Sequence, residues 1–262
     1  MRRKNKTIGI IGFGRFGVFI SSILAKNSDN EIKIYKHKDN DDYREKAKKI
    51  KAKLSSLEEV CKSDIIILAT PISKTEETII KIANLIKTNS LLMDTCSIKK
   101  YPCMWLKKHI PQNIEIMGTH PIFGPGPASF NFDKQSWNIN NFQIVLCPLR
   151  IREKRLKFIS NFLENKLNLK ILKTTPESHD KQAVYTFNLT HFLSRVLWET
   201  GLKEQNIQTP AYINLIKNYY TLNNDWQLIY DMYKYNPYAK SIMKKFLKTS
   251  EKIKKKIENK SR

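Results

Sequence analysis

Near its start the chain reads Thr7-Ile8-Gly9-Ile10-Ile11-Gly12-Phe13-Gly14-Arg15-Phe16-Gly17, which sets three glycines at G-x-G-x-x-G spacing between a β-branched apolar run and an amphipathic one. Few folds accept that order. A buried strand has to turn sharply at Gly12, Gly14 lets backbone approach an anion, and Gly17 lets the following helix pack close to the strand. The helix N-terminus then favours a pyrophosphate. Gly12, Phe13, Gly14, Arg15, Phe16 and Gly17 are therefore assigned to a dinucleotide, with a ligand-free glycine turn as the plain alternative.

The first half of the chain repeats the same alternation. Apolar runs at residues 31–35, 64–69, 90–93 and 113–117 read as buried strands, and residues 16–26, 57–62, 74–86 and 99–109 as helices between them. That pattern predicts an α/β fold, a doubly wound parallel sheet of Rossmann type with its ligands at the carboxyl ends of the strands. Residues 141–147 and 169–172 read as further strands around a helix at 152–165. After Thr175 apolar residues recur only at helical spacing, so residues 1–174 are assigned to a dinucleotide-binding domain and 175–262 to an all-helical substrate and dimerisation domain. Pro176 suits a first helical turn, and a helix over 179–199 would carry Ala183, Phe187, Thr190, Leu193 and Leu197 along one face. Pro210 and Pro237 punctuate two more helices, and the last, over 238–256, ends in a Lys-rich tail.

Composition excludes several other classes. Of 262 residues 41% are apolar and only 8 are Gly and 10 Pro, which excludes a disordered, collagenous or low-complexity chain. The net charge of +23 suits polyanions, yet it comes from 38 Lys and only 9 Arg spread along the whole chain. Base-edge and bidentate phosphate recognition favours the Arg fork, so the charge reads as a solvated surface and no specific nucleic-acid partner is expected. Cys61, Cys96, Cys103 and Cys147 form no C-x-x-C pair, which argues against a metal site or a disulfide framework and for free thiols in the cytoplasm. The basic N-terminus is followed by an apolar stretch broken by glycines and Arg15, unlike a secretory signal. No run approaches the roughly 18 apolar residues of a membrane span.

Cofactor preference is read about 20 residues past the glycine loop, where an acid would accept hydrogen bonds from the ribose of NAD. Here the strand ends Tyr35-Lys36-His37-Lys38. Three potentially cationic groups suit the 2′-phosphate of NADP, whereas Asp39 leaves NAD as the alternative if the strand is shorter. Thr70 and Pro71, after the 64–69 run, and Thr95, after the 90–93 run, complete the cofactor set.

Three of the five histidines stand in unusual settings. His120 lies in Gly118-Thr119-His120-Pro121-Ile122-Phe123-Gly124-Pro125, read as a rigid loop beyond a strand, at the sheet edge where a nicotinamide would lie. The neighbouring segment is Asp94-Thr95-Cys96-Ser97-Ile98-Lys99, in which Ser97 either caps the next helix or bonds a substrate hydroxyl. In Glu177-Ser178-His179-Asp180-Lys181-Gln182-Ala183 the histidine and acid read as structural, at a helix start. Further on, His191 and Arg195 share a helical face at i, i+4, so both can face one cleft, or form a solvated edge.

Together the glycine loop, the Asp94 to Lys99 segment, the Gly118 to Pro125 segment, His179-Asp180 and His191 resemble the prephenate/arogenate dehydrogenase family, most of all its plant-type arogenate branch. Thr209-Pro210-Ala211-Tyr212 and Asp231-Met232-Tyr233-Lys234-Tyr235-Asn236-Pro237 echo its helical domain. The resemblance implies oxidative decarboxylation of arogenate to tyrosine with hydride transfer to NADP; prephenate giving 4-hydroxyphenylpyruvate is the alternative. It further implies that His120 takes the proton of the substrate hydroxyl, that Ser97 assists, and that His191 lines the substrate site, with no metal. Many bacterial relatives grip a carboxylate with an arginine in the helical domain; residues 212–222 contain none, and Lys217 is their one cation. That departure tilts the substrate toward arogenate and leaves Arg195 and Lys217 as candidate substrate ligands. A homodimer through the helical domain is also implied, with Trp198, Trp226, Tyr219 and Tyr220 as core candidates unless they fill the domain itself. A hydroxyacid or imine reductase of the same architecture would need a lysine at the start of the second domain, where Lys181 is the helical candidate. A nucleotide-sensing protein would leave His120, Ser97 and His191 without a role.

Overall fold

Strand β1 (Thr7–Ile11) is apolar on both faces, as Ile8, Ile10 and Ile11 require, and it lies inside the sheet between β2 (Glu31–Tyr35) and β4 (Ile65–Leu68), parallel to both. Parallel neighbours need crossovers. Helix α1 (Arg15–Asn27) leads to β2, and the path on to β4 runs through α2 (Asp41–Lys49), β3 (Lys53–Leu54) and α3 (Leu57–Cys61). Helix α4 (Ile72–Ile82) joins β4 to β5 (Leu91–Asp94), and α5 (Lys100–His109) joins β5 to β6 (Glu115–Pro121). The computed structural model describes residues 6–37, 40–131, 136–222 and 226–260.

Periodicity alone does not announce α2, because it buries a single side chain, Ala47. Its ends and charges hold it instead. Asn40 caps it by accepting from the Tyr43 N–H at 3.0 Å, Asp41 and Asp42 occupy its first turn, and Asp42–Lys46 and Glu45–Lys49 pair one turn apart.

Strand order in the main sheet is β10-β9-β6-β5-β4-β1-β2-β3. The direction of winding reverses between β1 and β4, so the loops leaving these two strands diverge and open a crevice at their carboxyl ends. Two strands, β9 and β10, run against the parallel arrangement expected from the sequence. β9 (Gln143–Arg150) runs antiparallel to β6, with His120 opposite Val145. Among the described residues the path between them contains a 3-10 turn (Pro127–Ser129) and the short antiparallel pair β7 (Phe130–Asn131) and β8 (Ser136–Trp137), but no crossover helix, and without one the chain returns antiparallel. Helix α6 (Glu153–Asn165) then supplies a crossover, and β10 (Lys170–Lys173) is again parallel to β9.

Residue contacts divide the chain into Met1–Pro176 and Glu177–Arg262. The second unit is helical: α7 (Pro176–Ala183) begins at the boundary, followed by a π-helical turn (Val184–Leu189), α8 (Thr190–Glu199), α9 (Pro210–Leu222), α10 (Trp226–Tyr235) and α11 (Ala239–Glu258). The single helix expected over 179–199 is therefore interrupted. A π turn carries an extra residue and rotates the helix beyond it, so the buried set is His179, Asp180, Ala183, Val184, Asn188 and Ser194 rather than the unbroken α-helical face. Asn236 closes on this turn: its Nδ2 donates to the Asp180 carbonyl and to Asn188 Oδ1, both at 3.1 Å. Among the described residues no helix is long and apolar enough to cross a membrane. All four cysteines are buried and none forms a disulfide.

Candidate active site

Gly12 follows β1 with φ +108°, and a Cβ there would fall 2.4 Å from the Ala69 carbonyl oxygen. A Cβ on Gly17 would fall 2.1 Å from the Gly12 carbonyl oxygen, so α1 can lie against the turn only as glycine. Gly14 is the opposite case. Among the described residues no other heavy atom comes within 4 Å of its Cβ position, and it precedes α1 without a side-chain cap and with no acid in the first turn. Unspent helix N–H groups beside open backbone fit the pyrophosphate of a dinucleotide. Backbone bonds from Gly12 N to Tyr35 O (3.0 Å) and from Ala69 N to Ile11 O (2.8 Å) tie the turn to the ends of β2 and β4. Phe13 is fully buried and its ring lies 5.9 Å from that of Tyr43, so its side chain packs in the core while its backbone stays in the loop. Arg15 is exposed at the start of α1, and Phe16 is half-buried 5.9 Å from Phe19.

At the end of β2, Lys36 is half-buried with its ammonium 4.5 Å above the Tyr43 ring, and His37 is exposed. Lys38 and Asp39 lie outside the described residues. Past β4, Thr70 Oγ1 lies 3.3 Å from Thr75 Oγ1, and exposed Pro71 begins α4 with its carbonyl accepting from Thr75 Oγ1 at 3.0 Å. Thr95 Oγ1 donates to the Leu68 carbonyl at 2.8 Å, which joins the exit of β5 to the end of β4.

His120 does not stand in a loop. Pairing with β9 prolongs β6 through Pro121, and His120 is the penultimate residue of the strand, 2% exposed. Nor does Ser97 cap a helix. α5 starts at Lys100, and its cap position is Lys99, which makes no side-chain cap bond. Ser97 is half-buried, and among the described residues its hydroxyl has no hydrogen-bond partner, which leaves it available to a ligand.

Two site residues escaped sequence reasoning. Asp94, the last residue of β5, and Lys99 are both wholly buried, and Lys99 Nζ donates to Asp94 Oδ1. The same oxygen accepts from Cys96 N at 2.9 Å, and Thr119 Oγ1 donates to the Asp94 carbonyl at 2.5 Å. Burial by itself would lower the Lys99 pKa; the adjoining Asp94 carboxylate outweighs it and holds the ammonium above its ordinary range. Burial, reinforced by Asp94, pushes the Cys96 thiol up to about 12. A signal was present in the sequence: an acid ending an apolar strand has to find a cation, and Lys99 is the first one after it.

In the helical unit, His179 Nδ1 lies 2.7 Å from Asp180 Oδ1, both residues being buried, which suits the structural role expected of them. His191 is the second residue of α8, just past the π turn, and is half-buried. Arg195, one turn on, pairs with Glu199 at 2.8 Å and lies 4.2 Å above the Trp226 ring, so its guanidinium is already engaged. Lys217 is exposed on α9, which packs with α8. The side chains of Tyr219 and Tyr220 lie outside the described residues. The sheet thus gathers the glycine loop, Lys36, Thr70, Pro71, Thr95, Ser97 and His120 along its carboxyl edge. The helical unit carries His191 and Arg195 on α8 and Lys217 on its neighbour. Among the described residues no cluster of His, Cys, Asp or Glu could hold a metal ion.

Comparison with known proteins gives this edge a family. Residues 22–171 match the family model for the nucleotide-binding domain of prephenate dehydrogenase, and residues 196–262 match a TYRAAT1-like C-terminal domain. The chain is 28% identical over 262 residues to arogenate dehydrogenase 2, chloroplastic, of Arabidopsis thaliana, covering 95% of this chain and 69% of that protein. It is 28% identical over 275 residues to the probable arogenate/prephenate dehydrogenase of Methanocaldococcus jannaschii, covering 100% of this chain and 59% of that one. Among solved structures, the prephenate dehydrogenase of Aquifex aeolicus in complex with hydroxyphenyl propionate and NAD+ shares the fold with a TM-score of 0.77 at 18% identity, over 100% of this chain and 93% of that one. A doubly wound sheet with a glycine loop at its switch point, a helical second unit, and a family match over more than half of the residues place the chain in the prephenate dehydrogenase family.

Proposed function

We propose that the protein is an NAD(P)-dependent oxidoreductase of tyrosine biosynthesis that oxidatively decarboxylates arogenate to tyrosine, with NADP as cofactor. The observation that carries this reading is the pairing of a buried histidine, His120, with an unengaged hydroxyl, Ser97, at adjacent strand exits on the edge that fits a dinucleotide.

A bound nicotinamide supplies the hydride acceptor. The His120 imidazole, as general base, accepts the proton of the substrate hydroxyl as the ring carbon beneath it gives up its hydride. Ser97 donates to the same oxygen and fixes its direction. The carbonyl formed there takes up the electron pair released when the bond from the ring to its carboxylate breaks; carbon dioxide leaves, the ring becomes aromatic, and the phenolate oxygen recovers a proton from His120. Because His120 is almost wholly buried, competing water is excluded and its hydrogen bonds gain strength.

His191 is assigned to the substrate, and Arg195 and Lys217 to its side-chain carboxylate; the Glu199 partner of Arg195 is itself exposed and exchangeable. Lys217 as the one cation in residues 212–222 favours arogenate, whereas the relative that acts on prephenate keeps prephenate as the second reading. A lysine-dependent reductase is disfavoured, since Lys181 is exposed and leans on the Tyr238 ring at 5.8 Å. Lys36 and His37, with Lys38, support NADP; the NAD+ of the Aquifex complex is the alternative. Exposed Trp198, Trp226 and Tyr230 support a homodimer through the helical unit, and four buried cysteines outside any disulfide suit the cytoplasm.

Purified protein mixed with arogenate or prephenate and either NADP or NAD should form reduced cofactor fastest with arogenate and NADP. Binding of cofactor without turnover of either dienol would overturn the reading.

A further inference from the structure

We propose that Asp94 and Lys99 form a positioning pair that holds the Ser97 hydroxyl and the His120 imidazole in register across the exits of β5 and β6. The inference rests on the roles given to Ser97 and His120 above.

Neither residue of the pair is exposed at all. Removing two charges from water costs several kcal/mol per ion, and apolar residues of the same volume often leave a fold as stable or more so. Stability therefore gives no reason for an ion pair at this point in the core, whereas fixed geometry does.

The bonds show what is fixed. Asp94 Oδ1 accepts from Cys96 N and from Lys99 Nζ, so the loop between β5 and α5 is closed onto one carboxylate near both of its ends, with Ser97 in its middle. The backbone of Asp94 is claimed from the other side: Gly118 of β6 lies opposite it in the sheet, and Thr119, directly before His120, donates to its carbonyl. A side chain at 118 would disturb this arrangement, because a Cβ there would fall 2.4 Å from Cys103 Sγ and 3.4 Å from Asp94 Oδ2. The two groups assigned to the substrate hydroxyl thus hang from one aspartate, which a buried ammonium holds in place. Neither member touches the reacting atoms, so both act through Ser97 and His120.

Lys99→Ala leaves a buried carboxylate without its cation and puts the fold at risk. The decisive variant is the neutral pair Asp94→Asn with Lys99→Met, which fills the space and keeps an Oδ1 acceptor for Cys96 N. Measured on the whole chain, it should melt near the parent temperature and keep its dinucleotide Kd and its KM for arogenate within about threefold, while kcat falls by about thirtyfold or more. Adding Ser97→Ala to the neutral pair should lower kcat by less than about threefold further, although Ser97→Ala alone lowers it by more than about tenfold in the parent. A folded neutral pair with kcat within about threefold of the parent overturns the proposal, as do losses of Kd and KM in step with kcat, which mark a collapsed site. Failure of both the neutral pair and Lys99→Gln to fold would make the pair a requirement of the fold and overturn it too. A parent protein that turns over neither dienol overturns the functional reading and the pair with it; an active parent with an equally active variant overturns the pair alone.

Discussion

His120 combines burial with a position one residue from the end of β6, where it lies opposite Val145 of β9. A base held this way should be separable from cofactor binding. His120→Asn is expected to lower kcat by about 10²- to 10⁴-fold with the dinucleotide Kd nearly unchanged, measured by steady-state kinetics and cofactor titration; equal loss of cofactor affinity would make the residue structural. At this scale the readable residues are those whose role is local. Gly12 and Gly17 are needed because of atoms within a few residues or in the next strand's exit, and a fixed motif encodes that need. For Phe13 the motif places the backbone in the loop but does not tell where the side chain turns, and it turns to Tyr43. For Asp94 and Lys99 the signal was an acid ending an apolar strand with a lysine as the next cation; the complete burial of both, which makes the pairing obligatory, is revealed by no spacing.

The elements that bear on the site are β6 and its neighbours. Sequence periodicity stopped β6 at residue 117 because prolines and glycines come next; the antiparallel partner β9 carries it on to Pro121. The start of β6 is tied to α6 through Glu115, which accepts from Arg152 N at 2.6 Å and Arg152 Nε at 3.0 Å and pairs with Arg155 at 2.5 Å. Burial alone would raise the pKa of this carboxyl, and the bonds from Arg152 with the charge of Arg155 outweigh it, so the pKa lies below the ordinary carboxylate range. A lowered folded-state pKa gives stability that is complete above the unfolded value, about 4.3, and is lost as pH falls through the folded one. Glu115→Gln should therefore cost about 1–3 kcal/mol at neutral pH and flatten the decline in melting temperature between about pH 5 and pH 3, followed by calorimetry. An unchanged acid limb would contradict this account. The π turn in the helical unit was illegible for a different reason: it is fixed by Asn236, 48 residues beyond Asn188 in sequence.

Over the whole molecule, the alternation of strand and helix and the later change to helix alone were enough to read the architecture, because each is set by which faces must be buried. The turn of direction at β9 was not readable, since it depends on a missing crossover rather than on any residue pattern. Association belongs to this scale as well. With Trp198, Trp226 and Tyr230 exposed on a single chain, sedimentation equilibrium should return twice the chain mass of 30.7 kDa, and Trp198→Asp should shift the protein toward the single-chain mass. A single-chain mass for the parent at high concentration would remove the dimer. The central claim, that hydride loss and carboxylate loss are one reaction at His120 and Ser97, is tested most directly by labelling the ring carboxylate of arogenate and counting products. We expect one labelled carbon dioxide and one reduced nicotinamide for each tyrosine formed. Reduced nicotinamide with the label still on the ring product, or no reduction at all, would contradict it.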